Sequence, residues 1–345
     1  MAHNQRIFYA VQSVAIAPRG TGAVTAAHVV HGLQSVGMSS TFTLDQVFEM
    51  GQIEIYENIE EVADIEVTLE KVIDGYKLMF DLATSGECKT SIVSASKQRS
   101  DVYLAVYPDG QDHATGLPEV VCMNSGMYVS SVSYSYSIDG SATESVTLVG
   151  NDRFWNTSTV VANPSGTYGP HTPTGEGPTV NIDGTDAPLS GVVRRVDVNV
   201  GDSELPEIVR SQMGNDPVNF SSGYHIQSIS VSTDFGQENI QELGRFGPYH
   251  RYATFPIEVT CEFEVMATSG DLVNVSGTHP NLTNNDIIIR DTAGTVLDLG
   301  GAGGGKNKLS SVSYSGGDTG GGNATVSYSF SNFNVLTVNG GAPHA

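Results

Sequence analysis

Apolar and small polar residues alternate along many segments of this chain. Residues 34–40 and 227–233 place apolar side chains at every second position, between Ser, Gly and Thr. Successive side chains of a strand point to opposite sides of a sheet, so this pattern predicts strands with one buried face. Two further segments alternate in the same way. In the first, one face has Ile65, Val67 and Leu69 and the opposite face has Glu66, Thr68 and Glu70. In the second, one face has Ile257, Val259, Cys261 and Phe263 and the opposite face has Glu258, Thr260, Glu262 and Glu264.

More strands and two short helices complete the predicted elements. Alternation predicts strands at 101–107, 128–137, 145–149, 286–290, 308–315 and 324–330, with Gly-containing hairpin turns at 139–140 and 316–323. Thr43 followed by Gln46 has the spacing of a helix capping box, and Gly51 suits the residue after a helix. The matching segment 236–243 is followed by Gly244. The sequence predicts an all-β protein with minor α content: two tandem β-sandwich or barrel domains, each with one short helix.

The two halves of the chain repeat one another in order. Residues 33–42 match 226–235 and residues 49–51 match 242–244, both at an offset of 193, since 227 − 34 = 193. Residues 65–68 match 257–260 at an offset of 192, residues 83–86 match 267–270, and residues 129–135 match 309–315. Five matches in the same order predict that one domain has been duplicated.

A segment rich in Pro and Gly separates the two halves and shows scarcely any apolar periodicity. Such a composition predicts a long surface connection. The predicted division is a first β domain at 1–155, a linker at 156–190 and a second β domain at 191–345. We expect the linker to lie on the outside of an assembly and to contact an adjacent subunit or ring.

Composition and charge narrow the range of partners. The 39 Gly residues and the low charged fraction of 16% favour strands joined by tight turns over long helices. Only 16 Lys and Arg oppose 38 Asp and Glu, which gives a net charge of −22. This charge repels phosphate backbones and argues against a basic nucleic-acid-binding patch, while it leaves open contact with DNA that must not adhere.

Targeting signals and cysteine usage point to a soluble chain made in the cytosol, without a membrane partner. Residues 1–10 lack the basic and apolar regions of a signal peptide, and no run of about 18 apolar residues occurs. The three cysteines, Cys88, Cys122 and Cys261, are an odd number without CxxC spacing. We expect buried thiols, not a disulfide framework or a zinc site.

Motifs that suggest chemistry are each better explained as structure. Residues 300–306 have the GxxxxGK spacing of a phosphate loop, but Asn307 follows where Ser or Thr is needed, and a strand replaces the required helix. His28 and His31 lack a third metal ligand, and the Asp-rich turns at 109–112 and 183–186 lack the later Glu of an EF-hand. The prediction is a non-enzymatic protein with no catalytic residues, no metal site and no cofactor.

Several features together resemble a known family. They are the small-polar strand, the short helix that ends in Glu-Met-Gly at 49–51 or Glu-Leu-Gly at 242–244, the run from Gly247 to Thr260 that contains Phe255-Pro256-Ile257-Glu258-Val259-Thr260, and the closing stretch from Asn307 to Gly317. This order is similar to that of virion structural proteins of long-tailed bacteriophages, specifically tail tube proteins. The resemblance covers most of both halves and is weakest over the linker and over 77–98.

The resemblance implies two tail-tube-like domains that assemble into stacked rings around a channel that conducts DNA during ejection. Most such tubes use six one-domain chains per ring, so a duplicated domain implies trimeric, pseudo-hexameric rings. The implied partners are further copies of the chain, the sheath, the tape measure protein and the tail terminator. The implied location is the virion tail, assembled in the host bacterial cytoplasm.

The polar strand face is the candidate channel wall. Carboxylates with Ser and Thr repel a duplex that carries one charge per ~1.7 Å, so DNA would pass without binding. The alternative interpretation is an ordinary solvated sheet face. The residues predicted to face the lumen are Glu66, Thr68, Glu70, Ser228, Ser230, Ser232, Glu258, Thr260 and Glu262.

Two other functions fit the same fold. One is another ring-forming virion protein, such as a tube initiator or a distal tail protein. The other is a carbohydrate-binding or hydrolytic β-sandwich. Duplication favours a ring part, and Trp155 as the single tryptophan provides little of the clustered aromatic surface that glycan binding uses.

Overall fold

The structure is a computed structural model that describes most of the chain. The described residues are 6–21, 23–84, 89–95, 97–114, 116–157, 160–162, 176–180, 188–199, 204–206, 208–209, 225–244, 247–268, 270–273, 286–300, 306–317 and 322–340.

Strands dominate the first half. They are β1 Gln12–Pro18, β2 Ala23–Val24, β3 Leu33–Thr41, β4 Leu44–Val47, β5 Glu57–Glu60, β6 Asp64–Val72, β7 Lys89–Ser91, β8 Ser100–Val106, β9 Val120–Ser137, β10 Thr143–Gly150 and β11 Asp152–Asn156. The helical elements are α1 Met79–Thr84, α2 Ile92–Ala95 and 3-10 turns at Tyr9–Val11 and Ala26–His28.

Strands also dominate the remainder of the described chain. They are β12 Val160–Ala162, β13 Glu176–Val180, β14 Val198–Asn199, β15 Ile226–Asp234, β16 Glu238–Ile240, β17 His250–Tyr252, β18 Glu258–Met266, β19 Ile288–Asp291, β20 Val296–Asp298, β21 Lys308–Ser315, β22 Thr325–Phe333 and β23 Thr337–Asn339. The prediction of an all-β protein with minor α content is confirmed. The sheets are open and do not close into a barrel within the chain.

One antiparallel sheet runs through both halves, in the order β3-β6-β10-β9-β15-β18-β22-β21. The first four strands come from the first half, and the last four repeat their connectivity. The two halves join where β9 pairs with β15. In the order across the sheet, β9 is the last strand of the first unit and β15 is the first strand of the second. The two units are therefore arranged head to tail.

Strand registers show that the units are equivalent residue by residue. Ser35 lies opposite Glu70 in the first unit, and Ser228 lies opposite Glu264 in the second. Each pair follows a one-residue register shift, after Leu33 and after Ile226. The pairs β9·β10 and β21·β22 also correspond, with their own register shifts at equivalent places. The duplication inferred from sequence is thus visible as repeated hydrogen-bonding geometry.

Two of the five sequence matches need correction. Glu70 corresponds to Glu264, an offset of 194, so Glu66 corresponds to Thr260 and Asp64 to Glu258. The two-residue slip keeps every side chain on its predicted face, because strand side chains alternate with a period of two. The match of 83–86 to 267–270 is not structural, since Ala83 lies in α1 whereas Ala267 directly follows β18.

The predicted helices at 43–50 and 236–243 are wrong. Both segments form β-hairpins, β4·β5 and β16·β17, which extend the strand pairs β3·β6 and β15·β18. Gly51 and Gly244 have φ of 99° and 84°, and they serve the hairpin tips instead of ending helices. Long-range strand pairing overrides the local capping pattern here, because each hairpin prolongs an existing ladder.

Smaller sheets form a second layer. The first part of β9 leaves the main sheet at Gly126 and pairs with β8 and β11, and β1 pairs with β8. In the second half the corresponding layer has the order β14-β19-β20-β23-β7. The strand β7 belongs to the first half of the sequence, so the halves interlock.

The core is shared between the halves. One cluster of buried side chains includes Leu69 and Val146 from the first half together with Phe263 and Tyr328 from the second. The rings of Phe80 in α1 and Phe235 stack with centroids 6.0 Å apart. The division into domains at 1–155 and 191–345 therefore describes the duplicated units, and their folding as separate domains stays a prediction.

Part of the predicted linker is ordered structure. The strand β13 pairs with β12 and with β2, and Val180 is buried in a second apolar cluster with Val24 and Tyr103. This part of the linker belongs to the first half. Residues 163–175 and 181–187 lie outside the described residues, so the proposed contact of the linker with an adjacent subunit stays a prediction.

A buried carboxylate fixes α1 against the main sheet. Glu144 accepts hydrogen bonds from the Met79 and Phe80 main-chain N–H groups at 2.6 and 3.0 Å, and from the Tyr134 hydroxyl at 3.1 Å. Burial raises the pKa of the Glu144 carboxyl, and nearby Lys71 opposes this rise. Glu144 thus joins β10, β9 and α1.

Glu144→Gln should change the pH dependence of stability in a defined direction. The folded protein holds the Glu144 proton more tightly than the unfolded chain, so the contribution of Glu144 to stability is fully present below the unfolded pKa of 4.5 and is lost as the pH rises through the folded pKa. The free energy of unfolding of wild type, relative to Glu144→Gln, should therefore increase when urea denaturation is repeated at pH 5 instead of pH 7. An unchanged or smaller difference at pH 5 would contradict this assignment.

Candidate assembly edges and channel surface

The main sheet has one face packed on the core and one polar face. All nine residues predicted to face a lumen lie on this polar face, where each is exposed or half-buried. Val67, Leu69, Val231 and Val259 alternate with them along the same strands and are at most 1% exposed. The structure therefore brings the predicted residues together on one surface spanning eight strands. That this surface lines a channel stays a prediction.

This polar face is acidic and rich in hydroxyl groups. Its carboxylates are Asp64, Glu66, Glu70, Asp234, Glu258, Glu262 and Glu264, and Lys308 at the start of β21 is the one basic residue on this face of the eight strands. Ser35 donates to Glu70 at 3.5 Å, and the equivalent Ser228 donates to Glu264 at 3.2 Å. The repeat thus copies side-chain contacts as well as register.

The main sheet ends in two open edges. Within the described residues, no strand pairs with the outer side of β3 or of β21. An open edge exposes unpaired N–H and C=O groups that can pair with another chain. The two edges are not alike, because β3 corresponds to β15 and β21 corresponds to β9, the two strands that pair at the internal joint.

Exposure differs sharply between the internal joint and the open edges. Tyr134 in β9 is 1% exposed, whereas the equivalent Tyr314 in β21 is 53% exposed. Phe235, which follows β15, is 1% exposed, and the equivalent Phe42 is 65% exposed. The same residue types are buried where a neighbouring unit covers them and exposed where none does. The open edges therefore expose residues whose equivalents are buried at the internal joint.

A hairpin also crosses the internal joint. Gln237 donates to the Val129 carbonyl at 2.8 Å, and the Tyr128 hydroxyl lies 3.0 Å from His250 Nδ1. Arg251 donates to Asp64 at 2.9 Å and so binds the far side of the first unit. The hairpin β16·β17 of the second unit thus binds the first unit through these polar contacts.

The equivalent hairpin β4·β5 has no such surface beneath it within the described chain, and all of its strand residues are exposed. It carries exposed Leu44, Phe48 and Ile53, and Met50 at its tip is fully exposed. Leu243 at the tip of β16·β17 is also fully exposed. Both hairpins extend from the same end of the sheet, because β3 and β15 run in the same direction in an antiparallel order.

Other candidate sites gain little from the structure. His28 lies in a 3-10 turn with its Nδ1 beside Thr25, while His31 stacks on Tyr76 with ring centroids 4.1 Å apart. Residues 301–305 and 183–186 lie outside the described residues, as does Cys88. No group of three His, Cys, Asp or Glu side chains in the described ranges is arranged to hold a metal ion. Cys122 and Cys261 are buried free thiols.

The described helices are all too short or too polar to cross a membrane.

Sequence reasoning did not single out the edge residues. Phe42, Glu57, Lys308 and Tyr314 are functional candidates only because β3 and β21 are open edges. A signal was present for two of them, since Phe42 and Tyr314 lie in matched segments whose other copies contain Phe235 and Tyr134.

Comparisons with known proteins give little further information. No family model matches the sequence, and no curated protein matches it. A solved structure that matches is the sheath-tube complex of an extracellular contractile injection system, PVC, in its extended state, determined by cryo-EM. The TM-score is 0.33 and the identity 13%, over 44% of this chain and 93% of that chain.

Proposed function

We propose that this chain is a structural, non-enzymatic subunit of the tail tube of a long-tailed bacteriophage, located in the virion tail. The observation that supports this most is the head-to-tail joint of β9 with β15, which leaves the equivalents of the same two strands open at opposite ends of the sheet. A joint of this kind repeats from chain to chain and closes a ring when its rotation suits the number of subunits.

Three chains give a closed ring of a useful size. Each chain contributes eight strands to the sheet. Twenty-four strands about 4.8 Å apart and tilted by about 40° close at a backbone diameter of roughly 48 Å. This leaves room for a DNA duplex after the side chains are added. Six pseudo-equivalent four-stranded units then form the ring.

The acidic face suits the inner wall of that ring. If the apolar face stays packed on the second layer, the polar face is the one that remains for the lumen. Seven carboxylates per chain, among Ser and Thr hydroxyls, would then surround the DNA. Repulsion of phosphates keeps the duplex from binding while it passes.

The exposed hairpin tips suit contacts between stacked rings. Because β4·β5 and β16·β17 extend from the same end of the sheet, a ring of three chains would present six tips on one side. Met50 and Leu243 are fully exposed at equivalent positions of these tips. The sheath, tape measure and terminator proteins of the tail would be the further partners.

Met50→Asp combined with Leu243→Asp should prevent stacking while leaving single rings intact. The two substitutions place charge where an apolar contact between rings is proposed, and neither residue belongs to the core. Electron microscopy should show isolated rings where wild type forms tubes. Normal tubes from the double variant would contradict the stacking role, and loss of rings as well would place the tips within the ring.

The experiment that tests the proposed function is cryo-electron microscopy of the purified protein, with native mass spectrometry of the assembly. We expect tubes built from rings of three chains with six similar units per turn. A ring of six chains, or a monomer at high concentration, would refute the three-chain ring. Single rings that never stack would favour the other ring-forming virion role, a tube initiator or distal tail protein.

A further inference from the structure

The internal joint provides a template, residue by residue, for contact between chains. In β9·β15, Ser133 lies opposite Ser232 and Tyr134 lies opposite Val231. Ile138 N–H donates to the Gln227 carbonyl at 3.2 Å beyond this ladder, and Phe235 N–H donates to the Ser130 carbonyl at 2.8 Å. Since hydrogen-bonded and non-hydrogen-bonded pairs alternate, Ser133 and Ser232 form a non-hydrogen-bonded pair, whose Cα atoms lie about 4.5 Å apart.

Repeat equivalence transfers this register to the open edges. The strand β21 follows β9 at an offset of 180, since 313 − 133 = 180, and β3 precedes β15 by 193, since 232 − 39 = 193. The transferred pairing sets Ser313 opposite Ser39, Ser315 opposite Gly37 and Tyr314 opposite Met38.

The transferred register is compatible on both faces. Met38 pairs with buried Val67, and Tyr314 pairs with buried Val326, so both point to the core side. Ser39 and Ser313 lie on the polar face. A slip of one residue would set Tyr314 opposite a polar-face residue, which the sheet geometry does not allow.

The hairpin contact transfers as well, with a change of chemistry. The internal pair Tyr128 and His250 corresponds to Lys308 and Glu57 at the same two offsets. Lys308 and Glu57 are both exposed and carry opposite charges. The pair Val129 and Gln237 corresponds to Leu309 and Leu44, so an apolar contact replaces a hydrogen bond.

We propose that neighbouring chains join by a copy of the internal joint: β21 of one chain pairs with β3 of a second copy, with Ser313 opposite Ser39, and the hairpin of that second copy brings Glu57 beside Lys308. This inference rests on the proposed function and specifies its interface. It identifies the occupant of both open edges as another copy of this chain.

Cysteine cross-linking tests the register. In a Cys88→Ser background, Ser39→Cys with Ser313→Cys should form disulfide-linked chains, because the opposed Cα distance lies within the range that a disulfide spans. The product must join different chains, since β3 and β21 lie at opposite ends of one sheet. Ser133→Cys with Ser232→Cys is the matched control and should form a disulfide within one chain.

A cysteine pair shifted by two residues distinguishes the proposed register from other registers. Ser39→Cys with Ser311→Cys should cross-link much less. Assembly in which only the shifted pair cross-links, or neither pair does, would overturn the register while leaving the ring. Failure of the wild-type protein to assemble would overturn the ring and the register together.

Charge exchange tests the hairpin contact without cysteines. Lys308→Glu should raise the concentration needed for assembly by roughly tenfold or more, because two carboxylates would then face each other across the interface. Adding Glu57→Lys should bring that concentration back to within about threefold of wild type. A defect that Glu57→Lys does not relieve would overturn the pairing of these two residues.

Discussion

Tyr314→Asp should yield a folded chain that no longer assembles, whereas Tyr134→Asp should unfold it. These tyrosines are equivalent in the repeat, but Tyr134 is buried against the second unit and donates to Glu144, while Tyr314 is 53% exposed on an open edge. Removing a buried aromatic ring costs about 3 to 5 kcal/mol, and an unpartnered buried charge adds to that cost. The same substitution on the open edge would remove only the contact proposed between chains.

Two measurements separate the effects of the pair. In thermal unfolding, Tyr314→Asp should keep a melting temperature close to that of wild type. Tyr134→Asp should show no cooperative transition. Analytical ultracentrifugation should show Tyr314→Asp at least tenfold weaker in assembly, the loss expected when a central interface aromatic contributes about 2 kcal/mol. Tyr314→Phe is the conservative control and should assemble. Normal rings from Tyr314→Asp would exclude β21 as an assembly edge.

Glu66→Lys with Glu258→Lys should convert the assembled protein from one that excludes DNA into one that binds it. Both side chains are exposed on the polar face, away from the core. A ring of three such chains would present six new lysines. Six phosphate contacts make DNA affinity fall roughly a thousandfold between 50 and 200 mM salt. Binding of labelled duplex to assembled tubes, followed across this salt range, measures the effect, and in a phage the same change should slow DNA ejection.

Asp109→Lys is the control, because it makes the same change of charge as Glu66→Lys but away from the polar face. Asp109 is exposed in the loop between β8 and β9, in the second layer. Asp109→Lys should leave DNA exclusion unchanged, in contrast to Glu66→Lys alone. If both single variants bind DNA equally, net charge is responsible and the polar face is not the channel wall. Loss of folding in Glu66→Lys would show that this side chain is not free on a solvent face.

Much of the fold followed from local pattern. Alternation along 65–70 and 227–233 correctly indicated which side chains are buried, since a strand's facing depends only on its own period of two. The repeat at 129–135 and 309–315 correctly matched β9 with β21. The candidate polar face was predictable for the same reason, because each member was assigned within its own strand.

The segments at 43–50 and 236–243 show where local pattern was insufficient. Thr43 and Gln46 have the spacing of a helix cap, yet the chain there pairs with residues 57–60 to extend a ladder. The true offset of 194 between β6 and β18, in place of the 192 inferred from the sequence, was likewise invisible, because a slip of two residues preserves the pattern of faces.

The sequence by itself determined the strand content, the buried and polar faces and the duplication, since each of these depends on spacing within a short segment or on similarity between two segments. The tertiary structure alone decided that β9 meets β15, that α1 and β7 cross into the second unit, and that β3 and β21 remain open. Strand partners are chosen by the burial of surfaces far apart in the chain, and no local pattern records which surfaces meet. For this reason Tyr134 and Tyr314 look alike in the sequence and differ in the structure.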